Sequence, residues 1–368
     1  MKSIVYFSDF KTRSHENSKI MKVRSLLNQD IYKNTISKDD LTAIKIHFGE
    51  YGNDSFINPI FVREAVDFIK KHSGKPFITD TNTLYSGSRH NSIDHLNTAI
   101  SHGFAYAVVG APLIIADGLR SENFKEIDIN LKHFKKAKIA GDIESSDSMI
   151  VMTHFKAHEM AGFGGSIKNL AMGCAPAAGK RDQHSVRPFI ITEKCVGCGK
   201  CQTICPENAI TLNNKKALID QHICIGCGEC MTVCQVKAIG MNWDVELDEF
   251  IEKMTEYAYA SVKNKKDKVL YINFVMNVVP DCDCAGWSDY PIVPDIGILI
   301  SNDPVAIDKA SYDLVNAQTG NKESILKENL EPGKDKFKGL RSNTNGMLQM
   351  TYGQSIGLGS MEYELIKI

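Results

Sequence analysis

The chain has 368 residues, enough for two or three ordinary domains, and its 43% hydrophobic and 24% charged content is that of a globular fold and not of a disordered chain. Its 43 basic and 44 acidic residues leave a net charge of -1, which gives no footprint for nucleic acid and none for a membrane surface. No apolar run reaches the ~18–20 residues of a membrane-crossing helix.

Residues 1–9 read as an opening strand and lack the apolar core and small-residue cleavage site of a secretory signal, so a cytoplasmic protein is expected. Residues 41–48 form a second strand-like run. Helical spacing follows over 59–71, where Ile60, Phe61, Ala65, Phe68 and Ile69 are apolar and Pro59 suits a helix start. A strand is predicted over 75–79 after Gly74, a helix over 92–102, and strands over 108–116 and 148–153. This alternation predicts a layered α/β domain with a mainly parallel sheet.

Near Pro188 the composition changes. Up to about Gly240 the chain is rich in Cys and Gly and short of long apolar runs. Strand and helix patterns then return, with an amphipathic helix over 243–262, strands over 268–275 and 295–301, a helix over 303–317 opened by Asp303-Pro304, and a last strand over 361–368. The expected organisation is one α/β domain (1–187 and 242–368) interrupted by a small inserted module (188–241).

That module carries eight of the 11 cysteines, in two runs offset by 29 residues: Cys195, Cys198, Cys201, Cys205 and Cys224, Cys227, Cys230, Cys234. The register continues past them, with Ala209-Ile210 matching Ala238-Ile239. Each run is C-x2-C-x2-C-x3-C, the ligand pattern of bacterial two-cluster ferredoxins, in which the fourth cysteine serves the other cluster. One [4Fe-4S] cluster is therefore expected on Cys195, Cys198, Cys201 and Cys234, and a second on Cys224, Cys227, Cys230 and Cys205. Gly197, Gly199, Gly226 and Gly228 let the backbone wrap closely enough to aim N–H groups at sulfur. Zinc would more often take two separated pairs of cysteines. Pro206 follows the first run, whereas Gln235 stands at the matching place in the second.

Outside the module, Cys282-Asp283-Cys284 sits in a Gly-, Asp- and Pro-rich loop after a predicted strand, a place where α/β sheets put their chemistry. Two thiols beside carboxylates suit a soft metal or electron exchange, and Cys174 is the one remaining cysteine. After the strand ending near Met152 come His154, His158, a Gly-rich turn with Gly164 and Gly165, and Lys168. Glycine N–H groups and a lysine can hold an anionic ligand. Residues 80–89, and Lys45, His47, Gly49 and Asn53, also follow predicted strands and would line the same edge of a parallel sheet. The expected catalytic group is His158, Lys168, Cys282 and Cys284, with Gly164, Gly165 and Lys168 against a further metal or anionic cofactor.

Residues 154–170, the doubled cysteine pattern, Cys282-Asp283-Cys284, and the stretches 291–297 and 301–308 together resemble domain-of-unknown-function family 362. The resemblance implies an iron–sulfur protein in which a ferredoxin-type module accompanies an α/β domain, and it implies no reaction. Locally, His158, Ala161, Gly162, Phe163, Gly165 and Lys168 are similar to a stretch of lactate-racemase-type enzymes that use a nickel pincer nucleotide. There the histidine is an acid–base and the lysine anchors the cofactor. The leading expectation is a redox protein passing single electrons through two clusters to a site in the α/β domain, supplied by a partner protein or small-molecule donor and acting on a small molecule. A non-catalytic carrier or cluster-delivery protein, and a pincer-type isomerase with structural clusters, are the alternatives.

Overall fold

Two strands that are buried along their whole length set the architecture. Ser148–His154 and Val269–Val275 carry apolar residues on both faces, and each is buried at all seven positions. Only a central strand covered by helices on both sides satisfies such a run. The computed structural model describes residues 2–85, 87–184, 187–205, 207–221, 223–224, 230, 233–241 and 243–368.

Its main sheet is built from β1 (Ser3–Asp9), β2 (Leu41–Lys45), β3 (Lys75–Asp80), β4 (Leu113–Ile115), β5 (Ser148–His154), β6 (Val269–Val275), β7 (Gly297–Ser301) and β8 (Tyr363–Lys367), in the order β8-β1-β7-β6-β5-β2-β3-β4. Neighbouring pairs are parallel except where β7 runs antiparallel to β1 and β6. The fold is thus mixed α/β with a mainly parallel central sheet. Strands from before and after the cysteine-rich stretch alternate within it, since β6 and β7 lie between β1 and β5.

Successive side chains alternate between two cores. Ile150 and Met152 face one with Phe61, Val62 and Ala65 of helix α1 (Pro59–Lys71). Met149 and Val151 face the other with α3 (Ser166–Cys174), α4 (Trp243–Val262) and α5 (Pro304–Asn316), while α2 (Ser92–Ser101) packs near β4. α5 starts with the Asp303 cap and Pro304 that the sequence predicts, and α1 with the predicted Pro59, preceded by an Asn58 cap.

The predicted strand over 108–116 is corrected. A helical turn, Tyr106–Val109, ends at Gly110 in the left-handed region (φ +78°), and only Leu113–Ile115 is extended. Helix Lys19–Leu27 and the hairpin of Phe124–Asp128 with Lys136–Ala140 escape the sequence reading, because their apolar patterning is weak.

In the cysteine-rich stretch, Pro188–Ile190 pairs antiparallel with Ile239–Met241, so the chain leaves and returns side by side. Ile210–Asn213 pairs with Lys216–Ile219. Cys195, Cys201 and Cys230 lie in a small core with Ile210, Ala217 and Ile239.

Candidate functional site

Because β2, β3, β5 and β6 are parallel, the loops after their last residues emerge at one edge. They enclose a cleft of about 570 Å³ whose wall includes His47, Asp80, Arg89, His158, Lys168 and Cys284. Glu159, Asp281, Lys180 and His184 also line it, and Trp287 stands at the cleft with 63% of its surface exposed.

The loop after β6 brings its two thiols to the residues after β5. Ligand atoms of His158, Cys282 and Cys284 all lie within 4.8 Å of one another, and Lys168 Nζ is 3.5 Å from Cys282 Sγ. The hydrogen bond from Cys284 chiefly holds the Cys282 thiol well below its ordinary pKa, against the effect of burial, with help from the Lys168 charge and a hydrogen bond from His158. Cys284 is raised well above it by the same bond to Cys282 and by burial. Burial alone would lower Lys168, but the two sulfurs and Glu159 outweigh it and keep the lysine charged. The pair therefore carries one proton, with the negative charge on Cys282 beside an ammonium.

His158 has a defined proton. Its Nδ1 accepts the backbone N–H groups of Met160 and Ala161, both at 3.1 Å, so Nε2 carries hydrogen and faces Glu159 Oε2 at 3.4 Å. His158, Cys282 and Cys284 are a group that can hold a metal ion, and the two sulfurs are its soft ligands. Nε2 ligates only if its proton moves to Nδ1, where two N–H donors already point. As it stands, His158 is a hydrogen-bond donor to the thiolate.

Asp283 supports the loop and turns away from the thiols. Its carboxylate takes His154 Nδ1 at 2.8 Å, Lys156 Nζ at 2.9 Å and Ser55 Oγ at 3.2 Å, contacts that hold it far below the usual carboxylate range despite burial. Asp281 pairs with Arg341. Cys174 lies in the core at the end of α3, outside the thiol group, and burial raises it to about 11.

Gly164 pairs with Lys156 in a short hairpin, where an added Cβ would stand 3.4 Å from Lys156 and 3.6 Å from Lys168. At Gly165 an added Cβ would meet the Asp308 carboxylate at 2.5 Å. The N–H groups of Ser166 and Ile167 donate to that carboxylate at 2.7 and 2.9 Å. The start of α3 is therefore capped by the protein's own anion, and Lys168 is the part of this turn that reaches the cleft.

At the other end of the cleft, Arg89 is 1% exposed and is held by Glu50 through Nε (3.2 Å), by Tyr85 through Nη2 (2.6 Å) and by Asp80 at 3.6 Å from Nη1. Asp80 also takes fully buried Lys45 at 3.0 Å. The sequence points to His47 and to 80–89, but carries no signal for Lys180 or His184, which stand in a segment with no recognisable motif.

Cys195, Cys198, Cys201 and Cys234 line one pocket, so the last cysteine of the second run meets the first three of the first. Backbone N–H groups of Ala217, Ala209 and Ala238 donate to the sulfurs of Cys195, Cys205 and Cys234 at 3.4, 3.3 and 3.1 Å. The last two are equivalent bonds in the two copies of the repeat. Gly197 and Gly199 adopt φ of +66° and +77°, and an added Cβ on Gly197 would stand 2.2 Å from Lys215 O. Cys230 is buried and Cys205 and Cys224 are half-buried. Cys227, Gly226, Gly228 and Pro206 lie outside the described residues.

No helix among the described residues is long and apolar enough to cross a membrane. No curated protein matches the sequence. Among solved structures, the lactate racemase apoprotein from Thermoanaerobacterium thermosaccharolyticum matches with 14% identity and a TM-score of 0.37, over 75% of this chain and 51% of that one. This chain thus spans about half the length of that protein. The family model described as Domain of unknown function (DUF362) matches residues 42–313, well over half of the sequence, and the chain belongs to that family.

Proposed function

We propose that the protein is an iron–sulfur oxidoreductase that reduces a small molecule at the Cys282–Cys284 pair. The observation that carries this reading is the pair itself: an ionised thiol held against Lys168 and His158, next to a protonated one that lines a large cleft. A low-pKa thiolate with a neighbouring thiol is the chemistry of dithiol–disulfide exchange and thiolate attack.

The cysteine-rich stretch would hold two [4Fe-4S] clusters, and three features support this. They are the pocket shared by Cys195, Cys198, Cys201 and Cys234, the N–H donors to sulfur, and the matching spacing of the second run. A cluster there supplies one electron at a time, and two match the two-electron demand of a disulfide. The donor would be a redox protein or small reductant. In the cleft, Cys282 offers the nucleophilic sulfur, Cys284 and His158 Nε2 each hold a transferable proton, and Lys168 balances the charge. In the isomerase alternative Lys168 would anchor a nucleotide; its contact with Cys282 is what favours the redox reading.

Protein purified without oxygen is expected to contain about eight irons and eight acid-labile sulfides, and to absorb broadly near ~400 nm. Reduction should generate two thiols that Cys282→Ser or Cys284→Ser removes while the visible band stays. Zinc in place of iron, or variants that take up electrons like the parent, would sink the reading.

A further inference from the structure

His47 presents a hydrogen-bonding contradiction that a ligand would resolve. The turn at Gly49 (φ +81°) aims its N–H at His47 Nδ1, 3.0 Å away. Arg89 Nη1 stands 3.2 Å from the other ring nitrogen, Nε2. Burial, and then the Arg89 charge, push the His47 pKa down to about 3, so the ring is neutral. A neutral imidazole has one acceptor nitrogen. Nδ1 is that acceptor, because the backbone fixes the Gly49 N–H in place. Nε2 therefore carries hydrogen, and its N–H meets an arginine N–H with no acceptor between them.

Arg89 cannot turn aside. Glu50 and Tyr85 hold its other nitrogens, and it is almost wholly buried. Both residues line the cleft, and Arg89 lies within electrostatic reach of Cys284, as His47 does of Cys282. The nearest acceptor to Nη1, Asp80, stands 3.6 Å away, beyond hydrogen-bond reach, so the two convergent donors mark a place for an oxygen atom from outside the protein.

We infer that His47 Nε2–H and Arg89 Nη1–H together bind one oxygen of a carboxylate on the molecule that enters the cleft. The guanidinium favours an anionic oxygen over a neutral one. Glu50 and Asp80 already stand against Arg89, and Glu159 also lines the cleft, so a singly charged carboxylate fits there better than a doubly charged phosphate. The identity of the bound class deepens the redox reading, but binding itself does not depend on it.

The test uses the whole protein, purified without oxygen, with acetate, propionate and benzoate as probes and inorganic phosphate and propionamide as comparators. Affinity is read by calorimetry, and protection by the rate at which iodoacetamide alkylates the Cys282 thiolate. Monocarboxylates should bind and slow alkylation, whereas propionamide should do neither. His47→Ala and Arg89→Lys should each weaken carboxylate binding at least tenfold. Arg89→Lys is at risk of misfolding, so His47→Ala, at a half-buried position, decides the matter. Binding should survive in Cys284→Ser, which separates failure of the redox reading from failure of this one. Absence of carboxylate binding, parent-like affinity in His47→Ala, or a preference for phosphate would each overturn the assignment.

Discussion

A carboxylate set between two cysteines would ordinarily make both thiols harder to ionise. Asp283 does not, because His154, Lys156 and Ser55 take up its oxygens, and the thiols are left to each other, to Lys168 and to His158. Replacing that lysine should be visible in the thiolate. In Lys168→Met, alkylation of Cys282 at acid pH should slow, because its thiolate loses a neighbouring positive charge, while Lys168→Arg should recover most of the rate. Unchanged rates in the methionine variant would mean that another group holds the charge.

Lys180 gives a second pH signature. Burial lowers it to about 8, so it is charged below that pH and neutral above. Anion binding in the cleft should weaken as pH rises through about 8, and Lys180→Met should flatten that profile. A steady affinity from pH 7 to 9 in the parent would show that Lys180 does not contribute. His158, Lys168, Cys282 and Cys284 are legible in the sequence because each stands after a strand in an unusual cluster. Lys180 is not, since its place in the wall depends on how a short, unremarkable helix folds back beneath Thr81.

Among the elements, α3 is held by two contacts that sequence patterns do not encode. Asp308, far along the chain, caps its first N–H groups and accepts from Asn273. Burial raises Asp308 to about 6. Its folded-state pKa is therefore above the unfolded value, so its contribution to stability is full below the unfolded value and is lost as pH rises through about 6. Asp308→Ala should cost about 1–3 kcal/mol in denaturation near pH 5. The parent's decline in stability between pH 4 and 6 should be shallower in that variant.

The second contact is at Gly173, where an added Cβ would stand 2.2 Å from Lys45 Nζ. Alanine normally stabilises a helix interior by up to about 1 kcal/mol relative to glycine. Here Gly173→Ala should instead destabilise by about 1–3 kcal/mol, through overpacking against a buried lysine paired with Asp80. Thermal melting checks the sign. The helix over 59–71 is readable from its spacing alone, whereas α3 is not, because Gly164, Gly165 and Gly173 make it look like a loop. Gly165 and Gly173 are required by neighbours distant in sequence, Asp308 and Lys45.

At the scale of the molecule, the alternation of strands and helices makes the parallel sheet legible, but it does not announce the reversal at β7. A subtler signal does: no helix lies between β6 and β7, and a parallel return needs a crossover. The thiol loop is that antiparallel connection, which is why its residues stay at the active edge. The pairing of β1 has a consequence for synthesis. Its two neighbours in the sheet, β7 and β8, are both made after residue 296. On the ribosome the first strand must wait, with Val5 and Phe7 unpaired, until most of the chain has emerged. The cysteine-rich stretch is exposed well before that moment. Any metal that the cysteine-rich stretch binds could be taken up while the sheet is still open.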